Sequence, residues 1–296
     1  MAKQPFSMAM RKADIQTQGL PAGLYIVATP LGNARDITLR ALDILSSVAV
    51  IYCEDTRTSG KLMTLHNITT SRRAYHEHNA QEMRPKILRQ LDEGQAIALI
   101  SDAGTPLISD PGMPLVRAAR EAGHEVFAIP GPSAPIAALS IAGLPTDHFS
   151  FYGFLPPKQA ARQKALQKLA EQLGTLVFFE SAKRLAKTLA DVATILGPRD
   201  IVVAREITKK FEQIITGDAA SLAVQFETQP PRGEIVFLIG PAAPQADGPD
   251  RAEQIDAALR LALGKMSLRD AVQHVCAETG LKRKQVYERA LQLSEK

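Results

Sequence analysis

Short apolar runs, separated by polar and amphipathic segments, recur along the first half of the chain. They cover 24–28, 49–53, 96–100 and 126–129. Runs of four or five apolar residues with polar, Gly or Pro neighbours are typical of strands buried on both faces. Helical periodicity lies between them, as over Leu39, Leu42 and Leu45, where Asp36 is the expected helix cap. This alternation predicts an α/β domain with a parallel sheet over 23–143.

The pattern changes after 143–148, and a second α/β domain is expected over 144–241. Its predicted strands cover 175–179, 201–204, 211–216 and 235–239. The tight turns Gly217-Asp218 and Pro230 to Gly233 indicate antiparallel pairing in this second, mixed sheet. A helix is expected to start at Ala182. Residues 1–22, before the first strand, are predicted to be a disordered extension.

A stretch rich in Pro, Ala and Gly over 242–250 predicts a linker to a small helical tail, 251–296. Ser267 and Asp270 predict a capped amphipathic helix that ends at Gly280. The inner face of the next helix is predicted to be Val286, Ala290 and Leu291. Three cations open that helix, namely Lys282, Arg283 and Lys284. The tail therefore resembles a helix-turn-helix unit, and its cations favour contact with nucleic acid.

Composition narrows the class of protein only modestly. The chain has 296 residues, a formal net charge of +4 and a pI near 9.0, which suits an RNA partner and also an ordinary enzyme. Cys53 and Cys276 have no metal-ligand spacing, so neither a disulfide nor a zinc site is expected. The first residues lack the apolar core of a signal peptide, and a cytoplasmic location is expected.

The stretch 97–112 carries the strongest signal for a ligand site. Its apolar run stops at Ser101-Asp102, which places a carboxylate at the carboxyl end of a buried strand. Two Gly- and Pro-containing loops follow, over 103–106 and 109–112, and their small residues let a ligand approach the backbone. A strand end with an acid and two such loops predicts a binding site.

Polar residues also follow the other predicted strands. Three charged residues stand in Glu54-Asp55-Thr56-Arg57, where an ion pair with Arg57 is the structural alternative to a functional role. His76 and His78 would share one strand face, yet no third ligand stands at a matching spacing, so no metal site is expected.

Asn79 with Glu82 predicts a capping box, and Ser133 is placed to cap another helix. The segment 29–33 lacks the G-x-G-x-x-G of a dinucleotide-binding fold.

After 149–154 the chain continues with Leu-Pro-Pro-Lys, ending at Lys158, and a polar helix that bears Arg162, Lys164 and Lys168. A basic helix beside such a loop could meet RNA phosphates, and the alternative is a solvated helix face.

Eight motifs stand in the same order as in one known family. They are T-P-L-G-N-A-R-D-I-T at 29–38, E-D-T-R at 54–57, H-N at 78–79, S-D-A-G-T-P-L-I-S-D-P-G at 101–112, P-G-P-S-A at 130–134, G-F-L-P-P-K at 153–158, F-F-E-S at 178–181 and G-E-I-V at 233–236. The chain thus resembles the ribosomal RNA small-subunit methyltransferase I family of the tetrapyrrole-methylase-like superfamily. One departure is Lys183, where relatives often carry a histidine before the arginine.

The resemblance implies two α/β domains, S-adenosylmethionine held between them, a homodimer, and methylation of a cytidine 2′-hydroxyl in small-subunit ribosomal RNA, in the assembled subunit. The cofactor residues that it implies are Pro30, Asp102, Gly104, Thr105, Leu107, Ser133, Phe154, Phe179 and Glu234. The expected RNA contacts are Arg57, Lys158, Arg162, Lys282, Arg283 and Lys284.

Methyl transfer to a hydroxyl also calls for a group that takes its proton. The candidates are Glu54, Asp55, His78, Lys158 and Glu180, and the sequence does not choose among them. Two other functions stay open, a methyltransferase acting on a small tetrapyrrole and a ligand-sensing helix-turn-helix regulator. The basic segments speak against the first, and the acids and histidines at several strand ends speak against the second.

Overall fold

The computed structural model describes residues 19–242, 249–279 and 283–294. The described residues up to Ala242 form one compact unit and those from Pro249 onward belong to a second. Most of the predicted N-terminal extension, most of the predicted linker, Gly280 and Lys282 lie outside the described residues. No helix in the described ranges is long and apolar enough to cross a membrane.

The first sheet has five strands, all parallel, in the order β3-β2-β4-β1-β5. The strands are β1 Gly23–Val27, β2 Val50–Cys53, β3 Arg72–Ala74, β4 Ala96–Ile100 and β5 Val126–Ile129. The helices that accompany them are α1 Leu39–Ser47, α2 Thr56–Leu65, α3 Ala80–Asp92, α4 Met113–Glu121 and α5 Ala134–Ala142. This confirms the parallel α/β arrangement expected for the first half.

Apolar side chains cover both faces of this sheet, which explains the uninterrupted apolar runs. Tyr25 and Val27 belong to the cluster on one face, and Leu24 belongs to the cluster on the other. Because neighbouring residues of a strand point to opposite faces, a strand between two helical layers has no position left for a polar residue. The first polar residues therefore come where the strands end, at one edge of the sheet.

Two predicted helix caps are wrong. Asp36 lies in a short 3₁₀ turn, Ala34–Asp36, and the cap of α1 is Thr38, whose hydroxyl accepts the N–H of Ala41. Asn79 precedes α3 but makes no capping bond to it, because its side chain bonds the backbone of His76 and Ala74. The Asn79 side chain thus stabilises the turn before α3 rather than the first N–H groups of the helix.

The second sheet is mixed, in the order β6-β7-β10-β8-β9, with one parallel pair, β6 with β7. Its strands are β6 Phe149–Phe154, β7 Thr175–Ser181, β8 Asp200–Arg205, β9 Gln213–Asp218 and β10 Glu234–Ile239. Its helices are α6 Gln159–Gln167, α7 Leu185–Leu196 and α8 Ala219–Thr228. The expected antiparallel pairing is confirmed, whereas α7 begins three residues after the predicted Ala182 because 182–184 form a turn.

Helix α5 joins the two sheets. Ala138, Leu139 and Ala142 of α5 belong to the same apolar cluster as Val177 of β7 and Val236 of β10. A helix that follows a strand of the first sheet thus covers one face of the second. This packing brings the strand ends of the first sheet close to β7 and β10.

Helix α6 is attached to α7 by a buried ion pair. Nε and Nη2 of Arg162 each lie 2.7 Å from one oxygen of Asp191, and Nη1 donates to the carbonyl of Pro157. Both residues are only 4% exposed, and Gln159 and Gln163 donate to the other carboxylate oxygen. The structure corrects the predicted RNA contact of Arg162, because its guanidinium is buried and fully engaged. Lys164 and Lys168 of this segment are exposed.

The tail contains three described helices, one more than predicted. They are α9 Pro249–Leu263, α10 Leu268–Thr279 and α11 Arg283–Ser294. Leu259 of α9 packs with Val272 and Val286, and Ser267 with Asp270 forms the expected cap. Leu291, expected on the inner face, is 37% exposed.

We expect Asp191→Ala to lower the free energy of unfolding by about 3–5 kcal/mol, because it leaves the Arg162 guanidinium buried without its counter-ion. Urea denaturation measures this loss, with Lys164→Ala, an exposed cation of the same helix, as the control that stays near wild type. A loss below about 1 kcal/mol would mean that solvent reaches the guanidinium.

Candidate functional site

Three loops at the carboxyl edge of the first sheet are held together by backbone hydrogen bonds. After β1, Thr29 pairs with Gly104 after β4, with N–H to carbonyl distances of 2.8 and 3.0 Å. The Thr29 hydroxyl donates to the carbonyl of Ser101. The Thr105 hydroxyl donates to the carbonyl of Pro132 after β5, at 2.9 Å. The site is therefore built on a fixed frame rather than on independent loops.

The loop after β4 has an unusual backbone. Gly104, Leu107, Ser109 and Gly112 all have positive φ, of 79°, 72°, 65° and 139°. Leu and Ser rarely adopt this conformation, which costs energy that the surrounding structure has to supply. Such outliers concentrate at functional sites, and here they turn the loop back over the sheet edge.

A cavity of about 420 Å³ lies between this loop and the second sheet. From the first half of the chain it is lined by Leu31, Ala103, Gly104, Thr105, Ile108, Ser109, Asp110, Ser133, Ala134 and Pro135, and from the second by Phe154, Phe179, Glu180, Ser181, Ala182, Ile207, Gly233, Glu234, Ile235 and Val236. We call it the first cavity. It brings together six of the residues predicted to bind a cofactor, namely Gly104, Thr105, Ser133, Phe154, Phe179 and Glu234.

Aromatic side chains and an ion-pair network form the wall on the side of the second sheet. The rings of Phe154 and Phe179 lie 5.5 Å apart, and Phe154 is 57% exposed. Lys209 Nζ lies 3.0 Å from Glu206 and 3.1 Å from Glu234, which fixes the end of β10. This half of the wall offers an apolar surface with charges at its rim.

Ser133 stands at the N-terminus of α5, as predicted, but its hydroxyl makes no capping bond. The hydroxyl and the first N–H groups of α5 therefore remain available to a polar ligand at the cavity wall. The side chain of Leu107 packs into the apolar cluster beneath the sheet edge, and the expected contact of its backbone with the cofactor stays a prediction.

Pro30 and Asp102, also predicted to bind the cofactor, line a different cavity. This second cavity has a volume of about 300 Å³. Its lining is Pro30, Leu31, Gly32, Ala34, Thr58, Ser59, Lys61, Leu62, Leu65, Ile100, Ser101 and Asp102. Leu31 lines both cavities, so a single side chain forms a wall common to them. Asp102 also accepts the backbone N–H of Asp55 at 3.1 Å, which connects the two acidic motifs.

Three carboxylates, Glu54, Asp102 and Asp110, interact near this common wall. Burial, followed by the negative charges of Glu54 and Asp102, raises the pKa of Asp110 to about 6. Partial burial and the charge of Asp102 also raise the pKa of Glu54. A carboxyl group with a pKa near 6 is a better proton acceptor at neutral pH than an ordinary aspartate.

The pKa of Asp55 shifts in the opposite direction, because Asp55 is paired with Arg57. Asp55 caps α2 by accepting the N–H of Arg57, and it binds the Arg57 guanidinium at 3.0 Å. The side-chain and backbone hydrogen bonds from Arg57 lower the pKa of Asp55 to about 2. Such a carboxylate is a weak base, so the structure speaks against Asp55 as proton acceptor. The Arg57 side chain itself is 89% exposed.

The other predicted bases lie elsewhere or are occupied. The Glu180 carboxylate is buried and accepts hydrogen bonds from Ser181 N–H, Arg184 and Thr188, so it stabilises the end of β7. This corrects its predicted role as a base. His78 and Lys158 are exposed and line neither cavity. In the tail, Arg283 is exposed, Lys282 lies outside the described residues, and the side chain of Lys284 is likewise undescribed.

Sequence reasoning missed Asp110 as a functional residue. It placed 109–112 in one of the two loops of the expected binding site but gave Asp110 no role of its own. The available signal was a second acid eight residues after Asp102, in a loop already expected to bind a ligand. Its burial beside two other acids depends on how the loop turns back, which the sequence pattern does not contain.

The raised pKa of Asp110 predicts a stability difference that depends on pH. The native state holds its proton up to about pH 6, whereas the unfolded chain loses it near 3.8, so this group lowers stability as pH rises through that window. We expect Asp110→Asn to be more stable than wild type by about 1–2 kcal/mol at pH 7, discounted for partial exposure, and to lose the advantage near pH 4. Urea denaturation between pH 4 and 8 measures this difference, and a constant difference would contradict the shift.

Comparison with known proteins agrees with this architecture. Residues 23–223 match the family model of Tetrapyrrole (Corrin/Porphyrin) Methylases, and residues 249–294 match that of the RsmI C-terminal HTH domain. In fold, the first unit resembles cobalt precorrin-4 methyltransferase, with a TM-score of 0.57 and 20% identity over 73% of this chain and 94% of that one. It also resembles uroporphyrin-III C-methyltransferase from Thermus thermophilus, with a TM-score of 0.53 and 19% identity over 74% and 94%.

Sequence relatives are much closer than these structural neighbours. Ribosomal RNA small subunit methyltransferase I of Mesorhizobium japonicum is 45% identical over 96% of both chains. The proteins of the same name from Erythrobacter litoralis and Escherichia coli O157:H7 are 47% identical over 95% of this chain and 98% of theirs, and 43% identical over 91% and 94%. The chain therefore belongs to the ribosomal RNA small subunit methyltransferase I family, within the tetrapyrrole methylases.

Proposed function

We propose that this protein transfers a methyl group from S-adenosylmethionine to the 2′-hydroxyl of a cytidine in small-subunit ribosomal RNA. The observation that carries the proposal is the first cavity, combined with a family whose members are named for methylating this RNA. We also propose that it acts in the cytoplasm as a homodimer on the assembled subunit, with domains at 23–143, 144–241 and 251–296.

The lining of the first cavity suits such a cofactor. Its volume of about 420 Å³ lies within the range of small-molecule sites, and the Phe154 and Phe179 side offers an apolar surface. The Ser133 hydroxyl and the Thr105 backbone supply polar groups at the opposite side. When bound there, the cofactor supplies a sulfonium methyl group as the electrophile.

Asp110 is the proton acceptor in this proposal, and its partial burial, together with the negative charges of Glu54 and Asp102, keeps its pKa high. The hydroxyl oxygen forms a bond to the methyl carbon as the bond from carbon to sulfur breaks, and the hydroxyl proton passes to the Asp110 carboxylate. The sulfonium becomes a neutral thioether. Asp110 lines the first cavity and interacts with the acids beside the second, which is the position that such a transfer requires.

The function is tested by incubating the protein with methyl-labelled S-adenosylmethionine and small ribosomal subunits from cells that lack the enzyme. A 2′-O-methyl group blocks alkaline cleavage of the adjoining phosphodiester, so the label should remain in an alkali-resistant dinucleotide that begins with cytidine. Label in an alkali-sensitive nucleotide would place the methyl group on a base. Label absent from RNA but present in an added tetrapyrrole would favour the alternative substrate.

We expect Asp110→Asn to lower kcat by about 10²–10⁴-fold while the affinity for S-adenosylmethionine stays close to wild type. The kcat of the wild type should rise with pH and level off above about pH 6, as the carboxylate loses its proton. Single-turnover rates between pH 5 and 9 measure both effects. Asp110→Glu should recover part of the rate, and the exposed Asp147→Asn is the matched control. A full rate for Asp110→Asn would exclude it as the base.

The helical tail is expected to contribute to RNA binding but not to cofactor binding. A chain ending at Ala242 should keep its fold and its affinity for S-adenosylmethionine, since the tail forms its own compact unit. We expect it to bind RNA more weakly and with a shallower salt dependence, by about 0.7–0.9 in log–log slope for each phosphate that the tail neutralises. Replacing Lys282, Arg283 and Lys284 by Ala should reproduce most of the loss. Wild-type methylation by the truncated chain across a salt series would show that the tail does not bind RNA.

A further inference from the structure

A third cavity lies beside the second and has cations but no acid in its lining. It has a volume of about 570 Å³ and is lined by Thr56, Arg57, Gly60, Lys61, Thr64, Leu65 and Arg72. Lys61 and Leu65 of α2 line both the second and the third cavity. Leu31 in turn lines both the second and the first. The three cavities thus form a series in which neighbouring cavities share lining residues.

The charges change along this series. The third cavity has three exposed cations in its lining, Arg57, Lys61 and Arg72. Arg57 pairs with Asp55, whereas neither Lys61 nor Arg72 forms a salt bridge within the described part of the chain. The lining of the second cavity also includes the Asp102 carboxylate, which interacts electrostatically with Glu54 and Asp110. An anion is therefore attracted to the third cavity and repelled by Asp102 in the second. A neutral group that donates hydrogen bonds is favoured beside Asp102.

The second cavity also contains a polar group that lacks a strong partner. Ser59 is 3% exposed, and its hydroxyl has no nitrogen or oxygen partner among the described residues. The neighbouring Cys53 thiol is at best a weak partner. Buried hydroxyls are normally hydrogen-bonded, so this one indicates a ligand atom that completes its bonding. Leu31, Leu62 and Leu65 supply apolar surface around it.

We propose that the target nucleotide of the RNA occupies this series, with its nucleoside in the second cavity and the adjoining phosphates at Arg57, Lys61 and Arg72. The nucleoside is neutral and carries hydroxyl and amino donors, which suit Asp102 and Ser59. Carboxylates accept hydrogen bonds from the exocyclic amino group of cytosine in particular. A nucleotide bound this way has left its stack, as expected for an enzyme that reacts with a single nucleotide in structured RNA.

This inference rests on the proposed function and adds where the target nucleotide binds relative to the methyl donor. The common wall at Leu31 places the nucleoside next to the first cavity, where the methyl donor is proposed to bind. Asp102 then contacts the substrate rather than the cofactor. The Arg57 side chain is exposed at the third cavity, where a phosphate competes with Asp55 for the guanidinium.

The nucleoside site is tested by filling the second cavity. Thr58 is exposed on the first turn of α2 and lines this cavity, so Thr58→Trp adds bulk there without disturbing a core. We expect methyl transfer to small subunits to fall by about 100-fold, while S-adenosylmethionine affinity and melting temperature stay at wild-type values. Gln81→Trp is the matched control, because Gln81 is exposed on the first turn of α3 and lines none of the three cavities.

The phosphate site is tested by replacing Arg57, Lys61 and Arg72 together by Ala. The log–log salt slope of binding to protein-free small-subunit RNA should fall by about 0.7–0.9 for each phosphate that these cations neutralise. Replacing Arg117, Arg120 and Lys187, three exposed cations outside the cavities, removes the same charge and should change the slope much less. Weaker binding to intact subunits but not to protein-free RNA would assign the third cavity to a ribosomal protein and overturn the proposal.

The outcomes separate this inference from the function on which it rests. If the wild-type protein does not methylate ribosomal RNA, the proposed function fails. If the wild type methylates it and Thr58→Trp does so at an equal rate, the function stands and the nucleoside does not occupy the second cavity.

Discussion

The backbone bridge between Thr29 and Gly104 is the contact on which the candidate site depends. It joins the loops after two adjacent parallel strands, and the Thr105 hydroxyl extends the connection to the loop after β5. Gly104 is required there because its φ is 79° and a Cβ atom would come within 3.1 Å of Leu31. Leu31 is also the wall common to the first and second cavities, so the bridge sets their separation.

The parallel sheet explains why acids meet at this place. Its three inner strands β1, β2 and β4 are buried on both faces, so polar residues are confined to their ends, and the carboxyl ends of parallel strands lie at one edge. Glu54 follows β2, Asp102 follows β4, and the loop after β4 returns Asp110 to the same edge. Partial burial of Asp110, followed by the negative charges of Glu54 and Asp102, raises its pKa and thereby lowers stability at neutral pH. In the proposed mechanism, this loss of stability provides a carboxylate that accepts a proton near neutral pH.

The sequence by itself located eight of the ten strands in the described residues, because strands buried on both faces have to be apolar throughout and their ends are marked by Gly, Pro and charge. It did not locate β3, which is short, polar and exposed, or assign 149–154 to a strand, and His76 and His78, expected on a strand face, lie in the turn after β3. It also located the loop over 101–112 and six of the residues that meet in the first cavity. The sequence predicted helix caps less reliably, because one residue type can bond either the helix N-terminus or the turn before it. Asp36 and Asn79 were expected to cap helices, but Thr38 caps α1 and the Asn79 side chain bonds the turn before α3, because Asn, Asp and Thr compete for similar backbone groups over a few residues.

Only the tertiary structure decided which charged side chains are free. Arg162 and Glu180 look like surface or catalytic residues in the sequence, yet packing of α6 on α7 and of α7 on β7 buries both with partners. Asp110 looks like a turn residue, yet the reversed loop partly buries it and brings it within reach of the charges of two other acids. Asp102 and Gly104 are two residues apart, yet they line different cavities, one on each side of Leu31. Burial and charge pairing depend on residues far apart in the chain, and local patterns do not encode them.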